Sequence, residues 1–217
     1  MQMTRRCCCF TGKTTTRCPS SIRSTFRRRF ETPADARAII FTGAGDDFCL
    51  GRDPAGRPSS PPKDPLEHRE RSEVVFNFYG AFRRAPVPVV GLVQGRALGF
   101  GCAIAALFDI TIAAEGARFA LPEMGHNIMP TMAMSSMVDR VGYKGLVYLT
   151  YSTAEIDAKT ALAFGLVSQV VPDGELAAAG DTLLAARRSP RHRFPRSRRS
   201  RRSRNLPARQ TASILPR

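Results

Sequence analysis

A chain of 217 residues with 43% apolar side chains is long enough for one domain with a sizeable core. The formal net charge of +15 sits at the ends: residues 1–30 hold 8 Lys/Arg and no acid, 182–217 hold 12 Arg and no acid, and 31–181 carries 13 basic against all 18 acidic residues, a net of −5. That distribution removes the electrostatic case for a nucleic-acid-binding domain, and with no apolar run near ~18 residues no membrane-spanning helix is expected.

Residues 1–33 are rich in Arg, Ser, Thr and Cys and free of acid until Glu31. Two readings compete: an organellar transit peptide, or non-native sequence from an out-of-frame or misplaced start. Poor hydrophobic periodicity and the run Cys7-Cys8-Cys9 favour the second, and neither puts residues 1–30 in the core. The six cysteines have no paired C-x-x-C spacing, so no metal site is expected, and Cys49 and Cys102 read as small buried residues of a reducing, cytoplasmic compartment. A transit peptide would move that to an organellar matrix.

Ordered structure is expected from Thr32-Pro33 onward. Ala38 to Gly43 reads as a buried strand with a glycine turn, Phe48-Cys49-Leu50 as a short second strand, and 54–66 as a Pro-rich loop. His68 to Phe82 has Val74, Val75, Phe78 and Phe82 near one helical face, and Pro86 ends it. Val87 to Val93 is the next strand, and Gly95 to Gly101 a glycine-rich turn. Gly101 to Phe108 is a helix apolar all round and therefore buried. Strands follow at Ile110–Ala114 and Ala117–Ala120, then helices at 132–138, 143–151 and 158–164, the last capped by Ser152 or Thr153. Leu166 to Val171 is a strand and Glu175 to Ala186 a helix. Strands alternating with helices predict an α/β domain over 34–186, with ligands at the glycine turns that end the strands. From 187 the chain is an Arg-rich tail, read as disordered or out of frame, with at most non-specific binding to nucleic acid or anionic lipid.

The chemistry concentrates between Pro86 and Met129. Glycines at the start of a buried helix let a backbone approach a ligand, and N–H groups at a helix N-terminus attract negative charge. One acid, Glu123, follows a strand and a proline, giving an oxyanion site beside a general base.

Five ordered blocks carry a resemblance: Ile39 to Gly45, Phe48 to Asp53, Gly95 to Cys102, Phe119-Ala120-Leu121-Pro122-Glu123, and Ala158 to Val171. Together they resemble the crotonase superfamily, the enoyl-CoA hydratase/isomerase family. The resemblance implies a crotonase-like spiral of ββα units, here without the usual first strands and C-terminal helices. It implies an acyl-CoA thioester as substrate, no cofactor beyond that CoA, and a trimer or hexamer. It also implies a thioester enolate held by two backbone N–H groups, which by position are those of Arg52 and Phe100. Gly51, Asp53, Gly99, Gly101, Ala103 and His126 would border the substrate. Hydratases of the family use two glutamates; one matches Glu123 and the other matches Ala103, which exchanges no proton. A single glutamate suffices to move a proton between two carbons, so isomerisation of a double bond is favoured over hydration. The alternatives are a catalytically impaired acyl-CoA-binding homologue and a basic-tailed protein that associates with nucleic acid.

Overall fold

The computed structural model describes residues 6–8, 38–51 and 63–185. Its plan is a spiral in which each turn supplies one strand to each of two sheets and then a helix. The first sheet is parallel throughout, in the order β1 (Arg6–Cys8), β2 (Ile39–Thr42), β3 (Val89–Val93), β5 (Ile110–Ala114), β8 (Gln169–Val171). The second pairs β4 (Arg96–Leu98) parallel to β6 (Arg118–Ala120), with β7 (Ile156–Asp157) antiparallel on the far side. The helices are α1 (Pro65–Arg84), α2 (Phe100–Leu107), α3 (Thr131–Met137), α4 (Tyr143–Ser152), α5 (Ala158–Ala163) and α6 (Leu176–Ala185).

Thus β2, a bridge at Cys49 and α1 make one turn, β3-β4-α2 the next, and β5-β6 a third that continues into a 3-10 turn, Pro122–His126, and α3. This is the expected ββα spiral, and it explains the apolar runs. Every residue of β3 is buried, as in a parallel sheet covered on both faces, and all eight residues of α2 are buried between elements. Phe41, Phe82 and Phe108 meet with ring centroids 5.2–5.8 Å apart and join α1 to the first sheet.

Local chemistry sets several boundaries differently from the sequence reading. Helix α1 starts at Pro65, inside the expected loop, because Asp64 caps it by accepting the Glu67 N–H at 2.8 Å while Glu67 reaches back to the Lys63 N–H at 2.7 Å. The cap of α5 is Asp157, which accepts the Thr160 N–H at 2.8 Å, and not Ser152 or Thr153. The expected strand at Phe48–Leu50 shrinks to the single bridge Cys49↔Ala97. Inside the supposed glycine turn lies β4, too short for a periodic signal, and β7 was missed for the same reason.

At the N-terminal edge, Arg6–Cys8 pairs in parallel with Ile40, Phe41 and Thr42 of β2. This adds one three-residue edge strand from a segment expected to stay out of the core, since backbone pairing asks little of side-chain pattern. Residues 9–37 and the tail from 187 lie outside the described residues. Among the described residues, no helix is long and apolar enough to cross a membrane.

The centre of β3 tolerates no side chain. A Cβ on Gly91 would fall 1.9 Å from the Phe108 ring, and that ring is locked against Phe41, Phe48 and Phe82. Gly91→Ala is expected to lower unfolding stability by about 1–3 kcal/mol, measured by urea denaturation.

Candidate active site

Two backbone segments from different turns of the spiral meet at the start of α2. Gly99 caps that helix in a left-handed conformation, φ 52°, which costs a glycine nothing. Its N–H donates to the Ala120 carbonyl at 2.8 Å, tying the end of β4 to the end of β6. The Gly99 carbonyl takes the first helical bond, from the Ala103 N–H at 3.0 Å. The N–H groups of Phe100, Gly101 and Cys102 therefore precede any acceptor within the helix, and point along its positive end.

The second segment is Cys49-Leu50-Gly51. Cys49 exchanges bonds with β4, its N–H to the Arg96 carbonyl at 3.0 Å and its carbonyl from the Leu98 N–H at 2.9 Å. It lies so close to α2 that a Cβ on Gly101 would sit 2.2 Å from the Cys49 carbonyl oxygen. Gly51, at φ 105°, passes beside the Leu98 carbonyl. Arg52 and Asp53, the next two residues expected at the site, lie outside the described residues.

A side-chain clamp holds this junction from outside. Arg96 donates to Asp47 through Nε at 3.1 Å, Nη2 at 2.8 Å and its own backbone N–H at 2.9 Å. The Arg96 hydrogen bond holds the Asp47 carboxyl below the usual carboxylate range, against a smaller opposing effect of burial. Arg96 lies inside the glycine-rich run Gly95 to Gly101, and Asp47 in the turn before Phe48. An acid–base pair 49 residues apart leaves no local signal.

Glu123 comes in from the 3-10 turn after β6, with Pro122 in its first turn. Its carboxylate lies over the helix cap: a Cβ on Gly99 would be 2.9 Å from Glu123 Oε1. The other oxygen, Oε2, is buried and has no hydrogen-bond partner among the described residues. Burial pushes the Glu123 carboxyl above the usual glutamate range. Its own backbone N–H and the nearby His126 oppose that shift. An orphaned buried carboxylate oxygen is costly, and such groups gather at functional sites.

The remaining candidates separate. Ala103 is fully buried in α2, one turn into the helix. His126 is exposed, and Asn127 closes the 3-10 turn behind it at φ 55°. Asp139, the acid next to Arg140, accepts from Arg83 Nη1 at 2.7 Å. Burial would raise its pKa, but Arg83 and Arg140 outweigh that and keep it low, so it is no proton donor. The methionines divide: Met137 is core, Met132 and Met134 pack partly against it, and Met129 is exposed. No cluster of three or more His, Cys, Asp or Glu side chains suited to a metal occurs among the described residues.

The half-buried Glu123 carboxylate thus stands over the glycine cap of an apolar helix within a two-sheet ββα spiral. The enoyl-CoA hydratase/isomerase family matches residues 18–188, and the chain belongs to that family. It is 35% identical over 156 residues to a short-chain-enoyl-CoA hydratase of Clostridium acetobutylicum, covering 67% of this chain and 56% of that protein. It is 30% identical over 145 residues to the human mitochondrial enoyl-CoA hydratase domain-containing protein 3, covering 65% and 46%. The crystal structure of an enoyl-CoA hydratase/isomerase from Marinobacter aquaeolei shares its fold, with a TM-score of 0.72 at 21% identity over 89% of this chain and 75% of that one. The chain spans about half the length of these curated relatives.

The Cys49–Gly101 contact is testable directly. Gly101→Ala must drive the 49–51 backbone off the helix, and a loss of about 3 kcal/mol in unfolding stability is expected by urea denaturation. A neutral result would mean the two segments are not in contact.

Proposed function

We propose that the protein processes acyl-CoA thioesters by proton transfer at the carbons beside the thioester, moving a double bond rather than adding water. The observation that carries this reading is the Glu123 carboxylate, with Oε1 against Gly99 and Oε2 buried and without a partner among the described residues; by the sequence resemblance, Ala103 stands where the family's other acid would be.

The N–H of Phe100, with that of Arg52, receives the thioester oxygen. Polarised there, the C2 proton becomes acidic enough for a carboxylate to remove. Glu123 takes that proton, and the electron pair spreads over the C2–C1–O system and the C3=C4 bond. Glu123 then returns the same proton to C4, leaving the double bond between C2 and C3. Nothing is oxidised, no water enters and no cofactor is needed. Hydration needs one group to activate water and another to protonate carbon, or one group serving both; the methyl of Ala103 does neither, which favours the proton shuttle. The substrate partner is an acyl-CoA ester. Homo-oligomer assembly, and a cytoplasmic or matrix location, belong to the same reading, supported by the family membership and by the mitochondrial relative. An impaired acyl-CoA-binding homologue is the competing reading, favoured by Ala103.

Glu123→Gln tests it. On trans-3-hexenoyl-CoA, kcat/KM is expected to fall on the order of 10²–10⁴-fold with CoA-ester binding retained in calorimetry. Unchanged turnover removes Glu123 from the chemistry, and binding without turnover by the wild type establishes the impaired homologue.

The buried carboxyl also predicts two pH effects. Since Glu123 must start ionised and burial raises its pKa, kcat/KM should rise with pH through a midpoint above the ordinary glutamate range. A folded-state pKa above the unfolded one gives stability that is lost as pH rises between the two values. Glu123→Gln should therefore melt above the wild type at pH 8, with the gap closing toward acid pH.

A further inference from the structure

Among the described residues, Glu123 Oε2 has no hydrogen-bond partner, so the direction of the carboxylate depends on how its backbone is held. That backbone is fixed from both sides. Before it stands Pro122, whose ring sets its own φ, next to the buried Leu121. After it, the chain folds back onto the glutamate. Ile128 donates its N–H to the Glu123 carbonyl at 3.0 Å, and Asn127 donates to the Met124 carbonyl at 3.0 Å. This nested pair of bonds is a Schellman motif, which closes through a residue in the left-handed conformation. The residue is Asn127, at φ 55°. Asparagine enters that region more readily than most side chains, and a β-branched one is the least suited to it. Packing does not replace the turn's own bonds: Gly125, His126, Asn127 and Ile128 are exposed, and a Cβ on Gly125 would meet nothing within 4 Å.

From this geometry we infer that Asn127 is a positioning residue for Glu123: its left-handed backbone closes the turn on the Glu123 carbonyl and so keeps the carboxylate over Gly99. In its kinetic part the inference rests on the proton-transfer reading above. A residue that resists this conformation opens the turn, releases the Ile128 N–H from the Glu123 carbonyl and lets the carboxylate move off Gly99 into water. A base displaced by about 1 Å loses on the order of 100-fold in rate. Solvation also removes the burial that raises the Glu123 pKa. The other titratable groups around the carboxyl are the same in every variant below. They are His126 on the same turn and Cys102 on α2, both coupled to Glu123 electrostatically. Helix α4, packed against the turn, adds the exposed Lys144, Tyr143, Tyr148 and Tyr151. A merely structural Asn127 would change the melting temperature and leave the Glu123 ionisation of the folded protein where it was.

The experiment compares the full chain as wild type, Asn127→Gly, Asn127→Ala and Asn127→Val. The Glu123 carboxyl is titrated by carbon-13 NMR, its signal assigned by loss in Glu123→Gln, and kcat and KM are measured on trans-3-hexenoyl-CoA. Asn127→Val should bring the Glu123 midpoint down toward the ordinary glutamate range and lower kcat roughly 10–100-fold, with KM within about threefold of wild type. Asn127→Gly, which reaches the same φ freely, should match the wild type in midpoint and kcat. Asn127→Ala should fall between. A midpoint in Asn127→Val that stays with the wild type overturns the inference, as does a shift in Asn127→Gly as large as that in Asn127→Val. If Asn127→Val does not fold by circular dichroism, Asn127→Ala against Asn127→Gly decides in the same way. Should the wild type not turn over the ester, the proton-transfer reading fails separately, and the NMR midpoints alone decide the role of Asn127.

Discussion

The approach of two main chains at Gly101 is the constraint on which the rest depends. Nothing but hydrogen can stand between that Cα and the Cys49 carbonyl, 2.2 Å from where a Cβ would be. Once the contact is made, the Cys49 bridge to β4 fixes the second sheet against the first, and α2 is aimed by the turn that follows. Glu123 arrives at the same point because Gly99 holds on to Ala120, the last residue of β6, and the 3-10 turn starts two residues later. Three turns of the spiral are therefore registered to one another at a single small volume, without a side-chain interaction at its centre.

What surrounds that volume is unevenly strong. The inner support is dense: α2 fully buried, β3 fully buried, and rings of α1 filling the gap between them. Burying one such ring contributes roughly 2–3 kcal/mol. The Asp47–Arg96 pair is different. With Arg96 half-exposed, solvent screens the pair, so its role is to choose an orientation for the junction rather than to hold it. The cost concentrated at the site, a buried carboxylate oxygen without a donor, is borne by the packing around it.

The sequence made the long and the chemical features readable, for identifiable reasons. Helices α1 and α2 and strands β3 and β5 were legible because apolar residues recur at a period, or without interruption over several positions. Gly99 and Gly101 were legible as a close approach because a glycine before a buried helix has few other uses. Elements of two or three residues were not. β4 and β7 have no period to detect, and β1 lies in a segment whose Arg and Cys side chains argue against burial while its backbone pairs regardless. Glu123 stands out in the sequence as a candidate by its place after Pro122. Its orphaned oxygen, the partners of Asp139 and the Phe100–Tyr79 stack arise from residues far apart in the chain, and only folding brings them together.

Main-chain N–H groups at the start of α2 also decide how the protein can change. A donor that belongs to the backbone is common to every amino acid except proline, so its presence is not encoded by the residue that carries it. Side chains at such a position are free to drift while the hydrogen-bonding direction stays constant. Replacing such a residue with alanine would leave its N–H in place. What the backbone path requires is carried instead by Gly99, with its φ of 52°, and by Gly101, where a Cβ would meet the Cys49 carbonyl.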